Sequence, residues 1–204
     1  MNWMRNDFKK SIGVDVGGSH VSASLVDLHA ANELWLHINQ KALDSKGSAN
    51  TILQTIGACI IELITGANEI DAIGIAFPGP FDYEKGVSAI TGVGGKFQST
   101  FGIHVGQALK NITGCHNTLF CFSNDAHCFA VGANYKYKPP GKRKIFLTLG
   151  SGFGSAFIEN DSLLVSHPDI PLSGAFYDQP FLDAIADEYF STRWLLNAYK
   201  KRTG

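Results

Sequence analysis

The chain has 204 residues, 45% of them hydrophobic, and 17 Lys and Arg balance 18 Asp and Glu. The resulting net charge of -1 gives no electrostatic footprint for nucleic acid or an anionic membrane. The length suits one large domain or two small ones. No run of 18 apolar residues is available to cross a bilayer, and the mixed, charged start Met1–Lys10 does not read as a signal sequence, so a cytoplasmic location is expected.

Ile12 to Val16 alternates as a β-strand, Gly17-Gly18 admits the positive φ angles of a two-residue turn, and Val21 to Val26 resumes extended structure. Two residues without Cβ let backbone N–H groups approach an anion closely, and Ser19 adds a hydroxyl donor. Asp15 faces the same anion in this reading. A carboxylate beside phosphates makes chemical sense when a hydrated Mg²⁺ lies between them.

Glu33 to Asn39 predicts a third strand, with Trp35 and His37 as sheet residues. Asn50 to Ala67 carries a helical apolar stripe that Gly66 can end. Cys59 lies in that stripe, and it, Cys115, Cys121 and Cys128 lack any CxxC spacing, so reduced thiols are expected rather than disulfides or a zinc site. Ala72 to Phe77 is a buried strand running into the stiff turn Pro78-Gly79-Pro80, at a strand's carboxyl end where open α/β sheets put their ligands. Thr91 to Phe101, with Gly92, Gly94 and Gly95, predicts an irregular loop able to shape a substrate pocket, followed by a short helix over Ile103–Asn111.

Thr118 to Ser123 is the next strand, delivering Asn124-Asp125 to the start of a helix that reaches about Tyr137. Between a strand and a helix such residues serve as N-caps or as site residues, and both readings stand. Lys138 to Lys144, with Pro139-Pro140-Gly141, breaks the pattern and predicts a boundary between an N-terminal lobe over 1–137 and a second lobe over 138–204. Ile145 to Glu159 then repeats Ile12 to Val26 at constant offset: Ile145 falls on Ile12, Gly150 on Gly17, and Ser155-Ala156 on Ser22-Ala23. Two lobes that each open with a glycine-turn hairpin could grip a nucleotide's phosphates. Asn160-Asp161 predicts a turn, Ser162 to Val165 a strand, and Phe181 to Leu196 one amphipathic helix. The second lobe is short of central helices and strands.

This order of signals resembles the ROK family, the sugar kinases and related repressors built on the actin-like ATPase (ribonuclease H-like) fold. Asp15-Val-Gly-Gly-Ser19 looks like the family's first phosphate motif, Ile73 to Pro80 like its sugar-side loop, Asn124-Asp-Ala126 with Ala130-Val-Gly132 like its catalytic segment, and Leu147 to Gly154 like its second phosphate motif. The resemblance implies an α/β chain of two lobes, the second incomplete, that phosphorylates a hexose with ATP. It makes Asp125 the catalytic base and Asn124 a ligand of the sugar hydroxyls. Gly17, Gly18 and Ser19 would hold phosphates, Asp15 a hydrated Mg²⁺, and Gly150, Ser151 and Gly152 phosphates from the second lobe. Pro78 and Gly79 would shape the sugar pocket.

The chain departs from the family twice. The usual Glu-x-Gly-His sugar motif and CxCGxxGC cluster are missing between Phe157 and Tyr189, so no structural zinc is expected, and Asp187 or Glu188 is left to supply the sugar carboxylate. Family members also run about half as long again, which suggests a truncated chain. Only 11 residues precede the first strand, which argues against the DNA-binding repressor branch. The implied partners are a hexose and ATP, with no nucleic acid or membrane, and a homodimer in keeping with relatives. A non-catalytic sugar sensor and an amino-sugar kinase of the N-acetylmannosamine type are the rival readings.

Overall fold

The computed structural model describes residues 10–27, 35–65, 70–92, 94–150 and 152–204. The chain divides into two compact units, 1–125 and 126–204. In the first, strands β1 (Lys10–Val16) and β2 (His20–Asp27) form an antiparallel hairpin in which Val16 pairs with Val21. Strand β3 (Trp35–Ala42) extends it, and helix α1 (Ala49–Ile64) follows. Strand β4 (Ala72–Ala76), a small hairpin of β5 (Phe81–Asp82) and β6 (Val87–Ser88), a single 3₁₀ turn at Gln98–Thr100, helix α2 (Val105–Thr113) and strand β7 (Leu119–Ser123) complete it. The sheet order is β3-β2-β1-β4-β7, with β1, β4 and β7 mutually parallel.

Local chemistry sets these elements. Ser48 accepts the Thr51 N–H through Oγ at 3.1 Å, capping α1, whose buried Ile52, Leu53, Ile56, Cys59, Ile60 and Leu63 recur at helical spacing. They join Ile12, Val14, Val16 and Val21 of the hairpin and Ile73, Ile75 and Phe77 of β4 in one apolar core. Each such fully buried side chain contributes about 1.5–3 kcal/mol. Gly66, expected to end α1, lies outside the described residues; the helix closes at Thr65, whose N–H donates to Ile61 C=O.

The hairpin turn differs from expectation. Gly17 donates its N–H to His20 C=O at 2.9 Å, which centres the turn on Gly18-Ser19, and neither Gly17 nor Gly18 adopts positive φ. Both positions are closely packed. A Cβ on Gly17 would lie 3.2 Å from the His20 carbonyl oxygen, and one on Gly18 would lie 3.1 Å from Lys96 Nζ.

In the second unit, β8 (Arg143–Leu149), β9 (Phe153–Glu159) and β10 (Ser162–Leu164) form an antiparallel sheet in the order β10-β9-β8. Asn160 and Asp161 have φ of 48° and 63°, the geometry of a tight two-residue hairpin turn. Helix α3 (Asp125–Tyr137) starts at the end of the first unit and buries Ala130 against Ala156 and Ile158. Lys144 Nζ ties the helix to the sheet, donating to Asn134 Oδ1 at 2.7 Å and Asp161 Oδ1 at 2.8 Å. The compact units therefore divide ahead of the Pro139-Pro140-Gly141 break, since α3 packs with the elements that follow it.

The single helix expected over Phe181–Leu196 is instead a hairpin of β11 (Pro180–Phe181) and β12 (Ala184–Ile185) followed by helices α4 (Ala186–Phe190) and α5 (Thr192–Thr203). Leu182 takes φ 54° in the hairpin turn, and Ser191 is extended and caps α5 by accepting the Trp194 N–H. Both conformations interrupt helical hydrogen bonding. Helix α5 buries none of its residues. Among the described residues, no helix is long and apolar enough to cross a membrane.

The α1–α2 contact gives a packing prediction. A Cβ on Gly57 of α1 would overlap Ile112 Cγ2, whereas one on Gly74 of β4 has nothing within 4 Å. Overpacking costs about 1–3 kcal/mol and outweighs the roughly 1 kcal/mol by which Ala is the better helix former. Gly57→Ala should therefore lower the urea midpoint while Gly74→Ala leaves it unchanged or raises it, as read by equilibrium unfolding.

Candidate active site

The parallel register places the sequence motifs together. Asp15 on β1 is opposite Ala76 on β4, and Ala76 is opposite Ser123 on β7. One row across the sheet thus ends in Asp15, the Phe77-Pro78-Gly79 segment and Asn124-Asp125, at the carboxyl ends of three adjacent strands. With strands about 4.8 Å apart, the row is about 10 Å wide. Phe77 N–H donates to Ser123 C=O at 3.0 Å and carries the pairing one residue beyond β4.

Asp15 is an exposed residue, yet the pKa of its carboxyl is raised. Loss of water is the largest cause, the charge of Asp125 adds to it, and His20 acts in the opposite direction. Asp125 is thus close enough to be felt electrostatically. It occupies the first turn of α3, where the helix dipole favours a carboxylate. A poorly hydrated carboxylate at a strand's carboxyl end is a donor suited to a hydrated divalent cation, which binds through one or two carboxylates and retains several waters. Among the described residues, no group of three or more His, Cys, Asp or Glu is placed to hold a metal directly.

The turn beside Asp15 is held from behind. Ser45 Oγ donates to Gly18 C=O at 2.6 Å, and Leu43 N–H donates to Ser19 C=O at 2.9 Å. In a trans peptide the N–H points opposite to the carbonyl, so fixing Gly18 C=O on Ser45 aims the Ser19 N–H away from it. Ser19 Oγ lies 3.3 Å from His20 Nδ1.

On the sugar-loop side, Gly79-Pro80 is a cis peptide, and Tyr83 bridges the motifs. Its hydroxyl donates to Phe77 C=O at 3.1 Å, and Asn124 Nδ2 donates to the same Oη at 3.4 Å. A Cβ on Gly79 would sit 3.2 Å from that oxygen. Beneath, Phe81 stacks on Phe77, Tyr83 and Phe122, with ring centroids 4.8–5.2 Å apart. Tyr83 was not a candidate from sequence; the Pro-Gly-Pro-x-x-Tyr spacing was the available signal.

In the second unit, Gly150 donates its N–H to Gly152 C=O at 3.0 Å and accepts the Thr192 N–H at 2.8 Å. Ser151 lies outside the described residues. Asp187 binds this hairpin: Oδ1 accepts the Phe153 N–H at 2.7 Å, while Oδ2 takes Arg193 Nη2 at 2.7 Å. The same nitrogen of Arg193 reaches Glu188 Oε1 at 3.1 Å. Gly154 is sterically fixed, since a Cβ there would overlap Thr148 Oγ1.

The ROK family model matches residues 11–167. Comparison with curated proteins finds no match. Among solved structures, the chain is similar to a ROK hexokinase of Thermus thermophilus (16% identity, TM-score 0.67, 95% of this chain and 64% of that one). It is also similar to a ROK family glucokinase of Streptomyces griseus in complex with glucose and AMPPNP (20%, TM-score 0.71, 95% and 61%). A ROK family transcriptional regulator, a homolog of the E. coli MLC protein, matches as well (12%, TM-score 0.72, 95% and 49%). The chain spans less than two thirds of the length of each of these, and shares their mixed α/β, actin-like ATPase fold. With the family model covering most of its length and the motif row assembled as described, the chain belongs to the ROK family.

Proposed function

We propose that the protein phosphorylates a hexose with ATP in the manner of a glucokinase, with Asp125 as general base. The observation that carries this reading is the row at the carboxyl ends of β1, β4 and β7, where Asp125 acts electrostatically on Asp15. In phosphoryl transfer the protein chiefly positions the reactants and neutralises charge. Asp125 accepts the proton of the attacking sugar hydroxyl as the new bond forms. Asn124, oriented by Tyr83, hydrogen-bonds the sugar, and Pro78 and Gly79 shape its pocket. The Gly17-Gly18-Ser19 turn binds phosphate, and Gly150, Ser151 and Gly152 have the same assigned role in the second unit. Mg²⁺, held by Asp15 through water, would supply neutralising charge to the phosphates.

A second reading is a sugar-binding sensor without turnover, motivated by the missing Glu-x-Gly-His motif. Of the two carboxylates considered for the sugar, Asp187 is engaged by Phe153 N–H and Arg193, and Glu188 also meets Arg193. An amino-sugar kinase of the N-acetylmannosamine type differs only in pocket detail.

A coupled assay on this chain and on any longer form, with a panel of hexoses and amino sugars, tests the proposal. Turnover should fall about 10²- to 10⁴-fold in Asp125→Asn; retained turnover contradicts the assigned role, and calorimetric sugar binding without turnover in the parent supports the sensor. Asp15 yields a second outcome. Because its folded pKa is raised, its stabilising contribution is present when protonated and is lost as pH rises through the folded value. Ionised Asp15 therefore costs stability at neutral pH. Asp15→Asn should raise the urea midpoint at pH 7, with a gain that vanishes as pH falls toward the ordinary Asp value of 3.8, while turnover is lost.

A further inference from the structure

The loop over Thr91–Phe101 carries a cation whose place the proposed chemistry has not used. Gly94 and Gly95 take φ of 57° and 77°, and Phe97 takes φ 53°, a conformation that a bulky residue adopts only where its surroundings hold it. The surroundings do hold it. The Phe97 side chain is 2% exposed, with its ring 5.5 Å from that of Phe77, and its N–H donates to Ser45 C=O at 2.6 Å. Ser45 is the residue whose hydroxyl binds Gly18 C=O. Ser99 Oγ adds a second tie, to Gly47 C=O at 2.8 Å.

Clamped at Phe97 and Ser99, the loop lays Lys96 across the glycine turn. A Cβ on Gly18 would lie 3.1 Å from Nζ and 3.4 Å from Cδ and Cε, so the whole end of the side chain covers the position that glycine leaves open. Among the described residues, no carboxylate pairs with the ammonium. Among the described residues the ion pairs to Asp and Glu are made by Lys41, Lys85, Arg143, Lys144, His167 and Arg193, and the charges acting on Asp15 are those of Asp125 and His20. A lysine held over the proposed phosphate turn and paired with no described acid is an electrostatic contact in waiting. Ammonium groups bind phosphate as point charges.

We propose that Lys96 is a phosphate-binding residue of this site, contacting the terminal phosphate of a nucleotide held by the Gly17-Gly18-Ser19 turn. The inference rests on the reading of that turn as a phosphate site. It sets a positive charge against the open face of Gly18. In turnover, Lys96 would neutralise charge on the transferred group without accepting or donating a proton.

The test needs no catalysis. Pyrophosphate and Mg²⁺-AMPPNP are titrated calorimetrically into the full chain and into Lys96→Ala and Lys96→Arg. Unsubstituted protein should bind, Lys96→Ala about tenfold or more weakly with a shallower salt dependence, while Lys96→Arg keeps most of the affinity. Mass-spectrometric acetylation should show Lys96 protected by pyrophosphate, a readout that a purely structural role would not move. Equal affinity in Lys96→Ala and parent overturns the inference and leaves the phosphate turn standing. Failure of the folded parent to bind either probe removes the phosphate reading and the inference together.

Discussion

Everything at the candidate site depends on the in-register parallel pairing of β1, β4 and β7. Successive strand residues point to opposite faces, so a shift of one residue on any of the three would turn its contribution from one face to the other. The pairing of Asp15 with Ala76, and of Ala76 with Ser123, is secured by apolar residues on either side of it: Ile12, Val14 and Val16 on β1, Ile73 and Ile75 on β4, Phe122 on β7. These side chains belong to one core with α1, so the same burial that stabilises the unit also sets which motifs meet at its edge. Strand hydrogen bonding alone would not select this register.

That core offsets an arrangement unfavourable in itself. A partly dehydrated carboxylate beside another carboxylate raises the energy of the ionised form, which is a common signature of groups kept for chemistry. The polar supports around it are paired through the backbone. Ser45 joins the glycine turn to the Lys96 loop, and Tyr83 joins the sugar-side loop to Asn124. Both bridge segments distant in sequence, so the turn, the cation above it and the sugar loop form one connected set within the first unit, with the Phe77–Phe97 ring contact beneath.

Much of this was legible in the sequence because it is local. Alternation marked β1, β2 and β4, the apolar stripe marked α1, and the repeat at Ile145–Glu159 marked the second hairpin. Asp15, Asn124 and Asp125 were recognisable by position after strands. What escaped was set by contacts between distant segments. Gly17 and Gly18 suggest positive φ by residue type, but neither adopts it, and what meets the open face of Gly18 is Lys96, distant in sequence. Tyr83 and Lys96 carry no motif of their own. Phe181–Leu196 reads as one helix because its apolar spacing is helical, while the left-handed Leu182 and the extended Ser191 that divide it are single-residue conformations without periodicity. Asp187, read with Glu188 as a candidate for the sugar, accepts the Phe153 N–H of the second glycine hairpin, a contact that apolar spacing does not signal.

The central claim is that parallel register brings Asp15 and Asp125 within electrostatic reach at one edge of the sheet. It is tested most directly by carbon-detected NMR titration of the Asp15 carboxyl in the parent and in Asp125→Asn. The account predicts a parent value above the ordinary Asp range that falls part of the way back on substitution, the remainder reflecting lost hydration. An Asp15 that titrates at its ordinary value, or that is indifferent to the loss of the Asp125 charge, would contradict it.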